Sequence, residues 1–277
     1  MTDRVMRFCL LGTGSSGGVP RVGNDWGRCN PNDPRNRRRR CSALLDVFEP
    51  GRDAQTRVLI DTSPDLREQL LDAHVGHLDA IVFTHDHADQ THGIDDVRAL
   101  ALRQRKQIKT YLDDATAASL IQKFRYCFEG HGGYPPILDR QAPIEAYKPF
   151  QVSGQGGPVT LMPLDQEHGR IRSLGFRIGG LAYCNDVSDM PQQSFAELQE
   201  LDVLILDALR YSPHPTHAHL ELALEWIEQL QPKRAVLTNL HVDLDYETLI
   251  SELPRHVEPA FDGMVIELPL AAADLRL

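Results

Sequence analysis

Long apolar runs are missing from this sequence. None reaches the roughly 18–20 residues that a membrane-spanning helix needs. The opening MTDRVMRFCLLGTG holds an apolar patch too short for a secretory signal, with no small-residue cleavage site after it. The expected location is the cytoplasm. Paired cysteines are missing too. Cys9, Cys29, Cys41, Cys127 and Cys184 are scattered with no C-x-x-C, which argues against a disulfide framework and a cysteine-built zinc site. Positive charge is short: the formal net charge is −10, which disfavours broad nucleic-acid binding. The one exception is RNRRRR at 35–40, five arginines in six positions. It is either a solvated loop or a phosphate-facing run, in which Arg38 and Arg39 would meet a terminal phosphate in bidentate fashion. No Pro/Gly/Ser-rich linker, composition break or short repeat divides the chain. With 42% hydrophobic residues, a single domain over 1–277 is expected.

What is present is a series of strand-like apolar runs. They fall at Arg7–Leu11, Ser42–Phe48, Val58–Ile60, Ala80–Phe83, Lys109–Leu112, Val159–Pro163, Phe176–Ile178, Leu181–Cys184, Val203–Leu206, Ala235–Thr238 and Met264–Leu268. Helical spacing marks Gly93–Arg105, Asp114–Phe128, Pro191–Glu200, Leu220–Leu230 and Tyr246–Leu253. Ser63-Pro64 reads as a cap and first-turn proline opening a helix to about Ala73. Strands with interleaved helices predict an α/β sandwich with the helices outside.

Chemistry-bearing residues follow the strands. His85 comes after IVF, Asp186 after LAYC and His241 after AVLTNL, where α/β sheets place their chemistry. In VFTHDHADQTHG, His85, His87 and Asp89 alternate on one strand exit. Imidazole and carboxylate suit Zn²⁺, Mn²⁺ or Fe²⁺. His168, Asp186 and His241 are further candidates; each alone reads more simply as a satisfied polar residue. No G-x-S-x-G elbow and no nucleophilic cysteine motif appears. GTGSSGGVP is not a Walker loop; it is a tight turn or, with Ser15 and Ser16, an anion-facing backbone turn. The aromatic and glycine-rich 125–139 segment, with Tyr126, Phe128, His131 and Tyr134, is either a loop over the pocket or a self-packed surface loop.

GTGSSGGVP, RRRRCS, IDTSPDLR, THDHADQTHGIDD and HPTHAHLELAL together carry a resemblance. The chain resembles the metallo-β-lactamase-fold hydrolases, and within them the phosphoribosyl 1,2-cyclic phosphate phosphodiesterases. The resemblance implies a four-layer αββα sandwich with a binuclear site for two divalent ions, Zn²⁺ or Mn²⁺. It implies His85, His87 and His168 on one metal, Asp89 and His241 on the other, and Asp186 bridging. Asp61 would brace the ligand loop. The family motif ends in His where this chain has Gln90, a weaker neutral donor. The second site is therefore expected to be weakened by about 10–100-fold, with Gln90 coordinating weakly, replaced by water, or favouring Mn²⁺. His92 is expected to support the loop, and no structural zinc is expected at Cys29. The implied reaction is hydrolysis of a small cyclic phosphodiester by a metal-held hydroxide. Asp89 and His217 are the catalytic candidates, His217 as general acid. His214, His217 and His219 precede a helix, which one of them could simply cap; His219 is read as a helix-start residue or a substrate contact. The expected partners are a small phosphorylated substrate and a second copy in a homodimer, with neither membrane nor stable nucleic-acid binding. The alternatives are a tRNA 3′-processing-type endoribonuclease and a noncatalytic metal- or nucleotide-binding module.

Overall fold

Apolar runs of strand length, separated by amphipathic helices, fold here into two seven-stranded sheets. The computed structural model describes residues 4–270. Its contacts divide the chain into two units.

The first unit takes the described residues of 4–11, 42–161 and 265–270. Its sheet draws on β1 (Arg4–Gly12), β2 (Ser42–Phe48), β3 (Gln55–Ile60), β4 (Ala80–Val82), β5 (Ile108–Tyr111), β6 (Leu138–Arg140) and β14 (Met264–Leu270), in the order β14-β1-β2-β3-β4-β5-β6. From β3 onward the strands are parallel, and Ile60, Val82 and Tyr111 lie in register. The residues that follow them therefore leave the sheet at one edge. Buried Leu59, Leu66, Leu70, Ile81, Phe83, Val97 and Leu120 pack the helices of this unit on the sheet. Those helices are α1 (Leu66–Asp72), α2 (Ala88–Thr91), α3 (Arg98–Gln104) and α4 (Asp114–Glu129).

The second unit takes Gly12–Cys41 and Met162–Met264. The second sheet runs β13 (Val257–Pro259), β12 (Arg234–Thr238), β11 (Val203–Asp207), β10 (Leu181–Cys184), β9 (Ile171–Ile178), β8 (Gly157–His168) and β7 (Phe150–Gly154); the residues through which β7 and the start of β8 pair, up to Leu161, are counted with the first unit. The strands β10 to β13 are parallel, and Cys184, Leu206 and Leu237 are in register. Here too the strand exits share one edge. Leu204, Leu206, Ala223, Trp226, Ile227, Leu237 and Leu249 form the core with α5 (Gln192–Glu197), α6 (Leu220–Leu230) and α7 (Tyr246–Glu252).

Some element bounds differ from the sequence expectation. The helix expected from Ser63 opens at Leu66, because the Ser63 hydroxyl accepts from the Asp65 N–H (3.2 Å) and holds a turn first. The Gly93–Arg105 segment is a 3₁₀ turn at Ile94–Val97 followed by α3, closed by left-handed Arg105. The strands β6, β7 and β13 were not expected. Among the described residues, no helix is long and apolar enough to cross a membrane.

Candidate metal centre

In the first unit the ligand candidates hang on the exit of β4. Asp61, just past β3, sits in the left-handed region at φ 60°, a conformation Asp tolerates better than most residues. That turn aims its carboxylate at Thr84, which gives it both the backbone N–H and the hydroxyl, each at 2.8 Å. Complete burial pushes the Asp61 carboxyl up to about 8, while the Thr84 hydrogen bonds pull the other way. The Thr84 hydroxyl has a single hydrogen. With Asp61 as a carboxylate, that hydrogen goes to Asp61 and the oxygen accepts from His85 Nδ1, 3.0 Å away. His85 then presents Nε2 as its lone-pair nitrogen, the form a metal needs. His85 is buried and His87 exposed, with ring centroids 4.6 Å apart. Asp89 and Gln90 follow on α2. The Gln90 side chain is buried, and its amide nitrogen lies 3.5 Å from Asp89 Oδ2. The amide thus turns its donor end toward a carboxylate. The backbone braces this loop: Thr62 N–H donates to Gln90 O (2.8 Å) and Gly93 N–H to Thr62 O (2.9 Å).

The second unit gathers His168, Asp186 and His217, with one donor atom from each inside 4.8 Å of the others. His168 ends β8, and its Nδ1 donates to Thr216 O at 2.6 Å, which leaves Nε2 as the ligand nitrogen. Asp186 is left-handed at φ 53°, just past β10. Its Oδ2 accepts from Asn185 Nδ2 (2.6 Å), so Oδ1 faces His168 Nε2 at 4.0 Å. One divalent ion with bonds of about 2.0–2.2 Å spans donors that far apart, and imidazole plus carboxylate is a borderline donor set. These residues fit a transition-metal ion. His217 Nδ1 lies 3.8 Å from Asp186 Oδ1 but is committed elsewhere, donating to Asp207 Oδ2 at 2.8 Å. Asp207 is fully buried and also accepts from Val187 N–H and Asn239 Nδ2, both at 3.1 Å. Its role was not anticipated. The only signal was an acidic residue closing the apolar strand VLILD.

His241 stands apart from that group. It follows left-handed Asn239 after β12, and its Nδ1 donates to Asp243 Oδ1 at 2.7 Å. Its Nε2 meets the Arg21 guanidinium. The arginine run departs from expectation. Arg38 is 1% exposed, and its guanidinium donates to Leu244 O (2.8 Å), His241 O (3.5 Å) and Asn36 Oδ1 (3.2 Å). A side chain spent on buried carbonyls does not meet a substrate phosphate; Arg38 holds the loop that carries His241. Arg39 is tied to Asp262, by backbone N–H at 2.8 Å and Nε at 3.3 Å. The glycine turn packs on the same run. A Cβ on Gly14 would lie 2.9 Å from the Arg38 carbonyl oxygen, so the glycine serves close backbone approach. His92 stacks edge-to-face on Phe124 at 5.6 Å, a packing role. His219 occupies the N-cap of α6 with no side-chain cap bond. His131 and Tyr134 close a turn on each other's backbone, leaving Tyr134 73% exposed.

Comparison with known proteins extends the picture. A model of the beta-lactamase superfamily domain matches residues 56–239. The crystal structure of a new diphosphatase from the PhnP family aligns over 96% of this chain and 98% of its own, with 34% identity and a TM-score of 0.85. Zn²⁺-bound PqqB from Methylobacterium extorquens shares the fold over 95% of this chain and 100% of its own, at 19% identity and a TM-score of 0.67. A curated octanoyltransferase from Porphyromonas gingivalis is 34% identical over 264 residues, 94% of this chain and 51% of the relative. The chain thus spans about half the length of that curated relative.

Proposed function

The chain belongs to the beta-lactamase superfamily and, within it, to the PhnP family, and from that premise we propose that it is a metal-dependent phosphodiesterase acting on small cyclic phosphodiesters. The substrate is of the phosphoribosyl 1,2-cyclic phosphate or 2′,3′-cyclic nucleotide type. The observation that carries the reading is His217. It stands beside the His168–Asp186 donor pair, with its ring fixed by a buried carboxylate.

His85, His87 and Asp89 would hold metal, as would His168, Asp186 and His241. Divalent ions held there supply Lewis-acid polarisation of the phosphoryl oxygens and activation of water. The protein supplies the proton. With Nδ1–H given to Asp207, Nε2 is the nitrogen through which a protonated His217 would pass a proton to the departing alkoxide. Asp207 stabilises the charged ring in the way a buried carboxylate orients a general acid–base histidine. Gln90 donates toward Asp89 and keeps that carboxylate turned for binding.

A diphosphatase reading is favoured by one specific observation, the 34% identical PhnP-family diphosphatase. A nuclease reading fits the charge of −10 poorly, since RNA grip depends on cationic surface. The octanoyltransferase name belongs to a protein about twice the matched length and supports no acyl-transfer chemistry at these residues.

The test is a titration of the metal-stripped protein with Mn²⁺ or Zn²⁺. Hydrolysis of a 2′,3′-cyclic nucleotide is followed beside a nucleoside diphosphate derivative and an RNA, and Gln90→His serves as comparator. We expect cyclic phosphate hydrolysis to rise to saturation at two ions per chain. We expect the comparator to bind the second ion about 10–100-fold more tightly. Cleavage of the diphosphate alone would replace the reading with the diphosphatase; no phosphoryl hydrolysis at all would end it.

A further inference from the structure

Gln166 stands two residues before His168 on β8, so the two side chains leave the strand on the same face. It does not stand out in the sequence, where the polar stretch LDQEHG draws attention only to its histidine. In the fold it is fully buried, and Leu164, next along the same face, packs into the core of its unit. A primary amide in such a row costs the fold unless its polar atoms are used.

Its nitrogen is used twice. Gln166 Nε2 donates to Asn185 O at 2.9 Å and to Ser173 Oγ at 3.1 Å. The Ser173 hydroxyl has a single hydrogen, and that hydrogen goes to Asp186 O at 2.7 Å. The donors therefore run one way, from Gln166 through Ser173 to the backbone of 185 and 186. Those residues lie past Cys184, the last residue of β10 in register with β11, where the chain turns left-handed at Asp186 (φ 53°). Two successive carbonyls of that turn are thus held by side chains of β8 and β9. Of the candidate ligands, His168 rides on β8 and Asp186 on the turn, with Nε2 and Oδ1 4.0 Å apart. Gln166 ties the carrier of one to the carrier of the other.

The tie is kept at a cost to the fold. Gln166 Oε1 is buried with no hydrogen-bond partner among the described residues. Gly175, on the neighbouring strand β9, makes room for it. A Cβ there would run into Gln166 Oε1 and stand 3.1 Å from its Cδ. A glycine inside a strand and an orphaned amide oxygen both work against stability, and a fold keeps such features where a site needs them.

We infer that Gln166 is a positioning residue for the metal centre. Through Ser173 and the carbonyls of Asn185 and Asp186 it sets the separation of His168 and Asp186, and it acts without being a ligand itself. The inference rests on the metal-dependent reading above and adds the residue that spaces two of its ligands.

The test is metal binding by the stripped full chain, read by calorimetry with Zn²⁺ and by the visible absorption of the Co²⁺-loaded protein. Gln166→Met keeps the length of the side chain and removes its donor. It should weaken Zn²⁺ binding by about 10–100-fold, the range seen when a partner behind a metal ligand is lost, and it should alter the Co²⁺ bands. Ser173→Ala interrupts the same chain and should weaken binding in the same direction, while Ser173→Thr keeps the hydroxyl and should restore most of the affinity. The double variant of Gln166→Met with Ser173→Ala should bind about as Gln166→Met does, because the two residues act as one unit. Unchanged affinity in Gln166→Met overturns the inference. So does a loss of affinity that leaves the Co²⁺ bands as in wild type, since the ligands would then have kept their places. Circular dichroism melts establish which variants fold. Should Gln166→Met not fold, the serine pair decides: weaker binding in Ser173→Ala that Ser173→Thr restores sustains the inference, and equal binding in both overturns it. Wild type that binds no Zn²⁺ or Co²⁺ overturns it as well. Metal-loaded protein that hydrolyses no phosphodiester ends the phosphodiesterase reading alone, because no substrate enters these measurements.

Discussion

Asp207 contributes to the site through one hydrogen bond and two supporting ones, and its effect is separable from metal binding. It touches His217 at Nδ1 and is anchored by Val187 and Asn239. Asp207→Asn keeps the shape and removes the charge that stabilises a protonated ring. Activity toward a cyclic nucleotide, whose leaving alkoxide is strongly basic, should fall by about 10²–10⁴-fold. With bis(p-nitrophenyl) phosphate, whose leaving group needs no proton, the loss should be under about tenfold. Steady-state kinetics on both substrates, with metal content by atomic absorption, checks this. An equal loss on both would mean that Asp207 serves the scaffold or the metal instead of proton delivery. Residues of this sort explain what could be read in advance. His85, Asp186 and His241 follow apolar strand runs and stand out against that background, whereas His87 and Asp89 were singled out by their spacing from His85 in HDHAD and His168, in the polar stretch LDQEHG, by the family resemblance. Asp207 merely ends such a run, in the apolar strand VLILD.

At the level of elements, the strand exits do the positioning, and glycine sets how closely they approach. Asp61, Asp186 and Asn239 each take left-handed backbone one or two residues past β3, β10 and β12. Each turn redirects the chain across the sheet edge. Gly93 performs the matching task for the His85–Gln90 loop. A Cβ there would press into the Ser63 carbonyl oxygen and lie 2.8 Å from Leu66 Cβ. Gly93→Ala should therefore cost about 1–3 kcal/mol. It should also weaken metal binding, because the displaced segment is bonded to Thr62 and carries Gln90. A thermal melt of the stripped protein and a metal titration test the two halves; an unchanged melt would show that the 62–93 contact yields without strain. The same level explains which elements were legible. The central strands, paired on both sides and buried, read as apolar runs. The three that were missed, β6, β7 and β13, are all sheet edges. An edge strand is paired on one side and partly solvated, so LDR, FQVSG and VEP carry no apolar run to detect.

For the whole molecule, the question is how an acidic chain with a net charge of −10 would receive the phosphorylated substrate proposed for it, and how it meets a range of pH. Part of its positive charge is withdrawn from the surface: Arg38 is buried, and Arg57 forms a buried bidentate pair with Asp46 at 2.6 and 2.9 Å. A polyanion finds little to grip, which agrees with the small substrate proposed above. Buried acids also make stability depend on pH. Asp262 joins distant segments of its unit, accepting from Thr13 N–H (3.0 Å), the Thr13 hydroxyl (2.9 Å) and Arg39 N–H (2.8 Å). Burial pushes its carboxyl up to about 6 despite these bonds. In the unfolded chain the same group titrates near 3.9. Between those values the folded state holds the proton more tightly than the unfolded state does. The Asp262 contribution is thus fully present below about pH 4, is lost as pH rises to about 6, and is constant above that. The difference amounts to about 2–3 kcal/mol. Asp262→Asn cannot ionise and lacks this slope. In urea melts from pH 4 to pH 7.5, the stability of wild type minus that of Asp262→Asn should fall by that amount, nearly all of it below about pH 6.5. A constant difference across the series would mean that the four-way bonding of Asp262 outweighs its burial and that the carboxylate is charged throughout.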